Sequence, residues 1–320
     1  MQPRVALESL SRESLPAGVW GVVATPFQGS TLDVDLDSLA ELVEHYATIG
    51  ATGLTVLGVF GEAAALTADE RRDVLETVVE CTSLPLVVGV TALATRPAIE
   101  EVLAAQEVAG SRLAAVMVQA NSAKAETVIA HLDAIHRATG AKVVLQDYPL
   151  ASGVSIATST LISVVTACDY VIAVKAEAPP TSVAIAELSA AVGVSVFGGL
   201  GGQGLLDELM AGAAGAMTGF SYPEALIACV RAWQQDGYDA AQYELLPYLP
   251  LINFEQQAKV ALAIRKECLR ERGLIKDSGV RSPAAGFPEN LRASMVTHLR
   301  EAAAATETAK TTVKTTVGSF

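Results

Sequence analysis

The chain has 320 residues, 51% hydrophobic and 18% charged, with a net charge of −13, the composition of a folded globular protein with room for a large core. The acidic balance and the lack of a basic stripe exclude nucleic acid and anionic membranes as expected partners and leave a small molecule. No apolar run reaches the roughly 18 residues of a membrane span, and the opening MQPRVALESLSRESLPAG carries acids where a signal peptide has its apolar core, so a cytoplasmic location is the expected default.

Residues 1–17 read as an N-terminal extension. Between 18 and 237, β-favouring runs alternate with amphipathic helical patterns. In order the runs are VWGVVATPF (19–27), GLTVLG (53–58), PLVVGVT (85–91), AAVMVQA (114–120), KVVLQDYP (142–149), YVIAVKAE (170–177), VSVFGG (194–199) and AMTGF (216–220). Thr67-Ala-Asp-Glu70 has the capping-box pattern of a helix start. Eight such units of about 25 to 30 residues predict a (β/α)8 TIM barrel with a C-terminal helical region. A doubly wound sheet, the main rival, would carry a glycine-rich phosphate loop after its first strand, where this chain has Thr25-Pro26-Phe27.

Residues 238–300 are expected to form the C-terminal helical region, including DAAQYELLPYL and EQQAKVALAIRKECLRERGLI. Residues 301–320 have low complexity and read as a frayed helix followed by a disordered tail. Cys81, Cys168, Cys229 and Cys268 lie far apart without a C-x-x-C pair, so inert, mostly buried thiols are expected rather than disulfides or a zinc site. His45, His131, His136 and His298 show no metal-ligand spacing. No metal and no cofactor are expected.

Strand six ends in Lys175, and lysine at the end of an apolar strand costs stability unless it is paired or chemically used. Period-two alternation places Val171, Ala173, Lys175 and Glu177 on one face, and Tyr170, Ile172 and Val174 on the other. Active sites of such barrels lie at the C-terminal ends of the strands. There a desolvated Lys175 would become a neutral, nucleophilic amine that forms a Schiff base with a carbonyl substrate. The other reading is a purely structural ion pair between Lys175 and Glu177. Gln146 and Tyr148 share a face at the end of strand five, which puts a phenol beside the amine as a proton carrier. The loop after strand two, GVFGEAAALTADER, contains Gly58 and Gly61, whose turn can aim backbone N–H groups at a carboxylate; a plain strand-to-helix loop needs glycine as well.

Four landmarks in this order give a resemblance to the dihydrodipicolinate synthase and N-acetylneuraminate lyase superfamily of Schiff-base aldolases over roughly residues 18 to 300. They are Gly21-Val-Val-Ala-Thr-Pro-Phe27, Gly58-Val-Phe-Gly-Glu62, Asp147-Tyr-Pro149 with Ser152-Gly153, and Val174-Lys175. The resemblance implies a lysine imine with pyruvate or another 2-oxo acid, a 58–62 loop that holds the substrate carboxylate, and a homo-oligomer, dimer or tetramer. The chain departs from the family's pattern where Val59 and Phe60 replace two hydroxyl residues and Gln146 replaces a tyrosine. The tyrosine usually contributed across a subunit interface aligns with Ala120 or Gln119, and Leu150 and Ala151 stand where an arginine is expected after Pro149. A true dihydrodipicolinate synthase is therefore disfavoured, and a less polar pocket is expected.

The expected function is a lyase acting on a 2-oxo acid, pyruvate-type or 2-keto-3-deoxy, by aldol chemistry or dehydration. Lys175 is the expected nucleophile, with Tyr148 and Glu177 moving protons. Thr25, Gly58, Val59, Phe60, Gly61, Gln146, Gly198 and Gly199 are the expected binding residues; Gly198, Gly199 and Gly201 either leave space for the substrate's far end or make a tight turn. The alternative is a non-catalytic homologue of the same fold that binds a small metabolite or serves as a scaffold.

Overall fold

The computed structural model describes residues 13–317, with side chains described as far as residue 307. Eight parallel strands close into a barrel: β1 Gly18–Val22, β2 Gly53–Val56, β3 Leu86–Val90, β4 Leu113–Gln119, β5 Val143–Asp147, β6 Val171–Ala176, β7 Ser195–Gly198 and β8 Gly215–Thr218. β1 hydrogen-bonds to both β8 and β2, so no barrel edge is left open. All eight strands match runs read from the sequence. β1 ends earlier than its apolar run: Pro26 lacks a donor, and Phe27–Gln28 leaves the barrel to pair antiparallel with Asp33–Val34.

The outer faces of the strands pack against helices in two large apolar clusters, while Trp20, Val22, Val87, Met117, Val144, Phe197 and Met217 fill the barrel itself. Leu15, assigned to the N-terminal extension by sequence, is buried in that inner cluster, and its N–H donates to the Ile172 carbonyl at 3.2 Å. Ser14 donates to the Ser195 hydroxyl at 2.8 Å, so this short segment seals the end of the barrel opposite the candidate site. Residues 1–12 of the extension lie outside the described residues.

Strict alternation fails at the start of β6. The ladder to β5 pairs Val143 with Val171 but Val144 with Ala173, and this one-residue bulge turns Val171 outward and Ile172 into the barrel. Beyond the bulge the period holds, and Lys175 pairs in register with Gln146 of β5, which places both on the inner face.

The helix Ala68–Cys81 opens with the expected capping box, Thr67 and Glu70 each receiving the other's backbone N–H. After the barrel come the helices Pro223–Asp236, Tyr238–Leu245, Leu249–Glu255 and Ala261–Glu271. The run QQAKV (256–260), read within one long helical segment, is instead a turn, with Lys259 at φ +71°. The final helix spans Arg292–Val317, so helix covers most of the stretch read as a frayed helix and tail. None of the four cysteines forms a disulfide, and all but Cys81 are buried. No helix among the described residues is long and apolar enough to cross a membrane.

Candidate active site

At the C-terminal ends of the strands a cavity of about 150 Å³ is lined by Val22, Gly58, Val59, Phe60, Met117, Gln146, Tyr148, Lys175, Glu177, Leu200, Thr218, Gly219, Gln256, Ala261, Leu262 and Arg265. Lys175 and Glu177 are both 5% exposed, and their charged groups stand 3.1 Å apart. Gln146 Nε2 donates to the same Glu177 oxygen at 2.7 Å, and the other carboxylate oxygen faces the Leu200 N–H at 3.4 Å. The carboxylate is thus held from two sides beside the amine, where it can take a proton from one group and return it to another. Tyr148 lines the same cavity; burial, with the Glu177 charge adding to it, pushes its phenol above the usual range, so it stays protonated.

The loop after β2 is under backbone strain at both ends, since Leu57 at φ +58° and Glu62 at φ +52° hold a left-handed conformation that non-glycine residues rarely adopt. What holds Glu62 there is visible: Lys266 Nζ contacts one oxygen at 2.9 Å and the Arg281 N–H donates to the other at 2.9 Å. The Thr25 hydroxyl donates to the Gly61 carbonyl at 2.7 Å. Thr25 and Gly61 therefore shape the loop and do not line the cavity, whereas Gly58, Val59 and Phe60 do. Among the described residues, the backbone N–H groups of Val59, Phe60 and Gly61 have no hydrogen-bond partner.

Gly198 and Gly199 are needed for a reason other than the substrate's far end. A Cβ on Gly199 would lie 2.1 Å from Glu177 Oε1, and one on Gly198 would lie 1.8 Å from Glu208 Oε2. The two glycines make room for two buried glutamates on either side of one stretch of backbone. Glu208, which accepts from Thr181 at 2.7 Å, is pushed up to about 7 by burial, the Glu177 charge raising it further. Asp147 is likewise pushed up to about 6, by burial first and then by Glu177. Gln119 and Ala120, at the position of the interface tyrosine, are buried, and Leu150 is 82% exposed.

The sequence reading missed the contribution of the C-terminal region. Arg265 and Gln256 line the cavity, and Arg265 is 9% exposed with its guanidinium carbon 5.4 Å above the Phe60 ring. A signal was available: Arg265, Lys266 and Glu267 are consecutive within ALAIRKECL, so they point in three directions around a helix flanked by apolar residues. All three are buried. Among the described residues, no group of histidine, cysteine or carboxylate side chains is arranged to hold a metal ion.

Residues 15–302 match the model of the dihydrodipicolinate synthetase family. The chain is 28% identical over 292 residues to the L-2-keto-3-deoxyarabonate dehydratase of Azospirillum brasilense, covering 87% of this chain and 92% of that one. Trans-O-hydroxybenzylidenepyruvate hydratase-aldolase of Pseudomonas putida is 40% identical over a shorter segment of 92 residues, 26% of this chain and 28% of the relative. The crystal structure of dihydrodipicolinate synthase from Rhodopseudomonas palustris superposes with a TM-score of 0.83 at 28% identity, covering 90% of this chain and 99% of that one. With the barrel, the buried strand-end lysine and the family match extending over nearly the whole chain, the protein belongs to the dihydrodipicolinate synthetase family.

Proposed function

We propose that the chain is a lyase that forms a Schiff base between Lys175 and a 2-oxo acid and eliminates water from a 3-deoxy-2-oxo acid. The observation that carries this reading is the buried triad of Lys175, Glu177 and Gln146, with amine and carboxylate 3.1 Å apart at the cavity wall. The amine, having passed its proton to Glu177, adds to the C2 carbonyl; Glu177 returns that proton to the carbinolamine hydroxyl, which leaves as water, and an iminium forms beside a carboxylate again free to act as base. Its positive charge draws electrons from C3, Glu177 takes the C3 proton, and the resulting enamine expels the C4 hydroxyl, which departs with a proton as water. The free N–H groups of Val59 and Phe60, which line the cavity, receive the C1 carboxylate in place of the missing hydroxyl side chains.

Dehydration is favoured over carbon–carbon cleavage because the relative matched over nearly its full length is a dehydratase. Gln146 supports this choice, since an amide orients Glu177 but does not relay a proton, leaving one carboxylate beside the imine. Mass spectrometry of products from a panel of 3-deoxy-2-oxo acids tests the reading. A product lighter by one water, absent with Lys175→Ala, supports it; pyruvate plus an aldehyde would make the enzyme an aldolase instead. The homo-oligomer implied by the family resemblance is part of the proposal and is tested by sedimentation velocity.

A further inference from the structure

The cavity holds a cation that the chemistry at Lys175 does not use. Among the described residues the Arg265 guanidinium makes no hydrogen bond, and its buried Nε has only a long ion pair to Glu255. The nearest carboxylate, Glu255, is 3.6 Å from Nε, and both of its oxygens are engaged by the hydroxyl and N–H of Ser221. Gln256 Nε2 is a second buried donor without a partner. Both donors converge on Gly201: a Cβ there would lie 1.9 Å from Gln256 Nε2 and 2.9 Å from Arg265 Nη2. Buried donors left unpaired cost free energy, and two that meet at one cavity wall are satisfied together by an acceptor in the cavity.

We propose that Arg265 and Gln256 form a subsite for a second carboxylate at the far end of the substrate, which is then a short-chain 2-oxo diacid. This rests on the Schiff-base reading above. A guanidinium matches a carboxylate in planar, two-pronged geometry, and a hydroxyl would not neutralise its buried charge. A phosphate calls for more positive charge than is present, because the other cation among the lining residues, Lys175, is consumed by the imine. The near carboxylate is provided for separately, by the unpaired N–H groups of the loop after β2. Arg265 reaches the cavity from the helix Ala261–Glu271 and touches the backbone after β7, so it meets the end of the substrate that projects away from Lys175 and that loop.

The test is borohydride trapping on Lys175, quantified by intact-mass spectrometry, with pyruvate, 2-oxoglutarate and 2-oxopentanoate as probes. For the unaltered protein, half-saturation by 2-oxoglutarate is expected about tenfold to a hundredfold below that by 2-oxopentanoate, the range of a hydrogen-bonded charge. Arg265→Met is expected to abolish this preference and to raise half-saturation by 2-oxoglutarate at least about tenfold more than that by pyruvate, and Arg265→Lys to restore part of the preference. The subsite is refuted if the unaltered protein shows no preference, a result independent of whether any variant folds. It is equally refuted if Arg265→Met weakens pyruvate and 2-oxoglutarate alike. Failure of the unaltered protein to trap any of the three probes removes the Schiff-base reading itself, and the subsite with it.

Discussion

Replacing Gly199 with alanine displaces Glu177 without removing its carboxylate, and so tests the proton transfers assigned to it. The added Cβ would stand 2.1 Å from Oε1, 2.5 Å from Cδ and 2.6 Å from Cγ of Glu177. Carbon atoms in ordinary contact lie about 3.5 Å or more apart, so the carboxylate must retreat by roughly 1 Å. That retreat breaks the 2.7 Å bond from Gln146 and lengthens the 3.1 Å pair with Lys175. A misplacement of about 1 Å in a catalytic group costs on the order of a hundredfold in rate. The assay is the exchange of pyruvate methyl protons with deuterated solvent, followed by NMR, because exchange requires the enamine and hence proton removal at C3. Gly199→Ala is expected to lose about a hundredfold in exchange, while the end-point of pyruvate trapping on Lys175, which a slower imine formation still reaches, stays within a few-fold of the parent. A melting curve checks the fold, since overpacking costs about 1–3 kcal/mol. Exchange at the parental rate would refute the role given to Glu177.

Glu208 makes stability depend on pH. Because burial pushes its carboxyl up to about 7, the folded state keeps a proton that the unfolded chain has already released. Its contribution is therefore full below the usual carboxylate range and is lost as pH rises through 7, a change of up to about 3 kcal/mol. Glu208→Gln is expected to flatten the fall in stability between pH 5 and 8 in urea titrations; an unchanged slope contradicts the assignment. Lys266, fully buried against Glu62 at 2.9 Å and 4.2 Å from the centre of the Phe27 ring, ties the site loop to the C-terminal region. Lys266→Met leaves a buried carboxylate without its ion pair and is expected to cost about 3–5 kcal/mol, part of which Glu62→Gln restores in the double variant. A loss below about 1 kcal/mol, within the range of exposed pairs, would show that the pair does not anchor the loop.

The barrel was legible because each strand is a short apolar run bounded by turn residues, and because a lysine at the end of such a run has few explanations. Lys175, Glu177, Gln146 and Tyr148 line one cavity as the alternation beyond the β6 bulge requires. The bulge itself left no trace in the residue pattern, so Val171 and Ile172 were assigned to the wrong faces. Thr25 was a binding candidate that could support either the carboxylate loop or the imine, and the structure has it brace Gly61 of that loop, a choice that depends on where one hydroxyl points. Gly198 and Gly199 stood out as glycines, but what each makes room for, Glu208 and Glu177, is set by tertiary packing. Arg265 lies 90 residues beyond Lys175 in the C-terminal helical region, and only the closing of that region over the barrel mouth brings the two into one cavity.

The central claim is that Lys175 is the nucleophile. Reducing the protein with borohydride in the presence of pyruvate, digesting it and sequencing the modified peptide tests it most directly. The account predicts one adduct, on Lys175 within YVIAVKAEAPPT, absent from Lys175→Ala. A folded protein that remains unmodified, or that carries its adduct on another lysine, would contradict it.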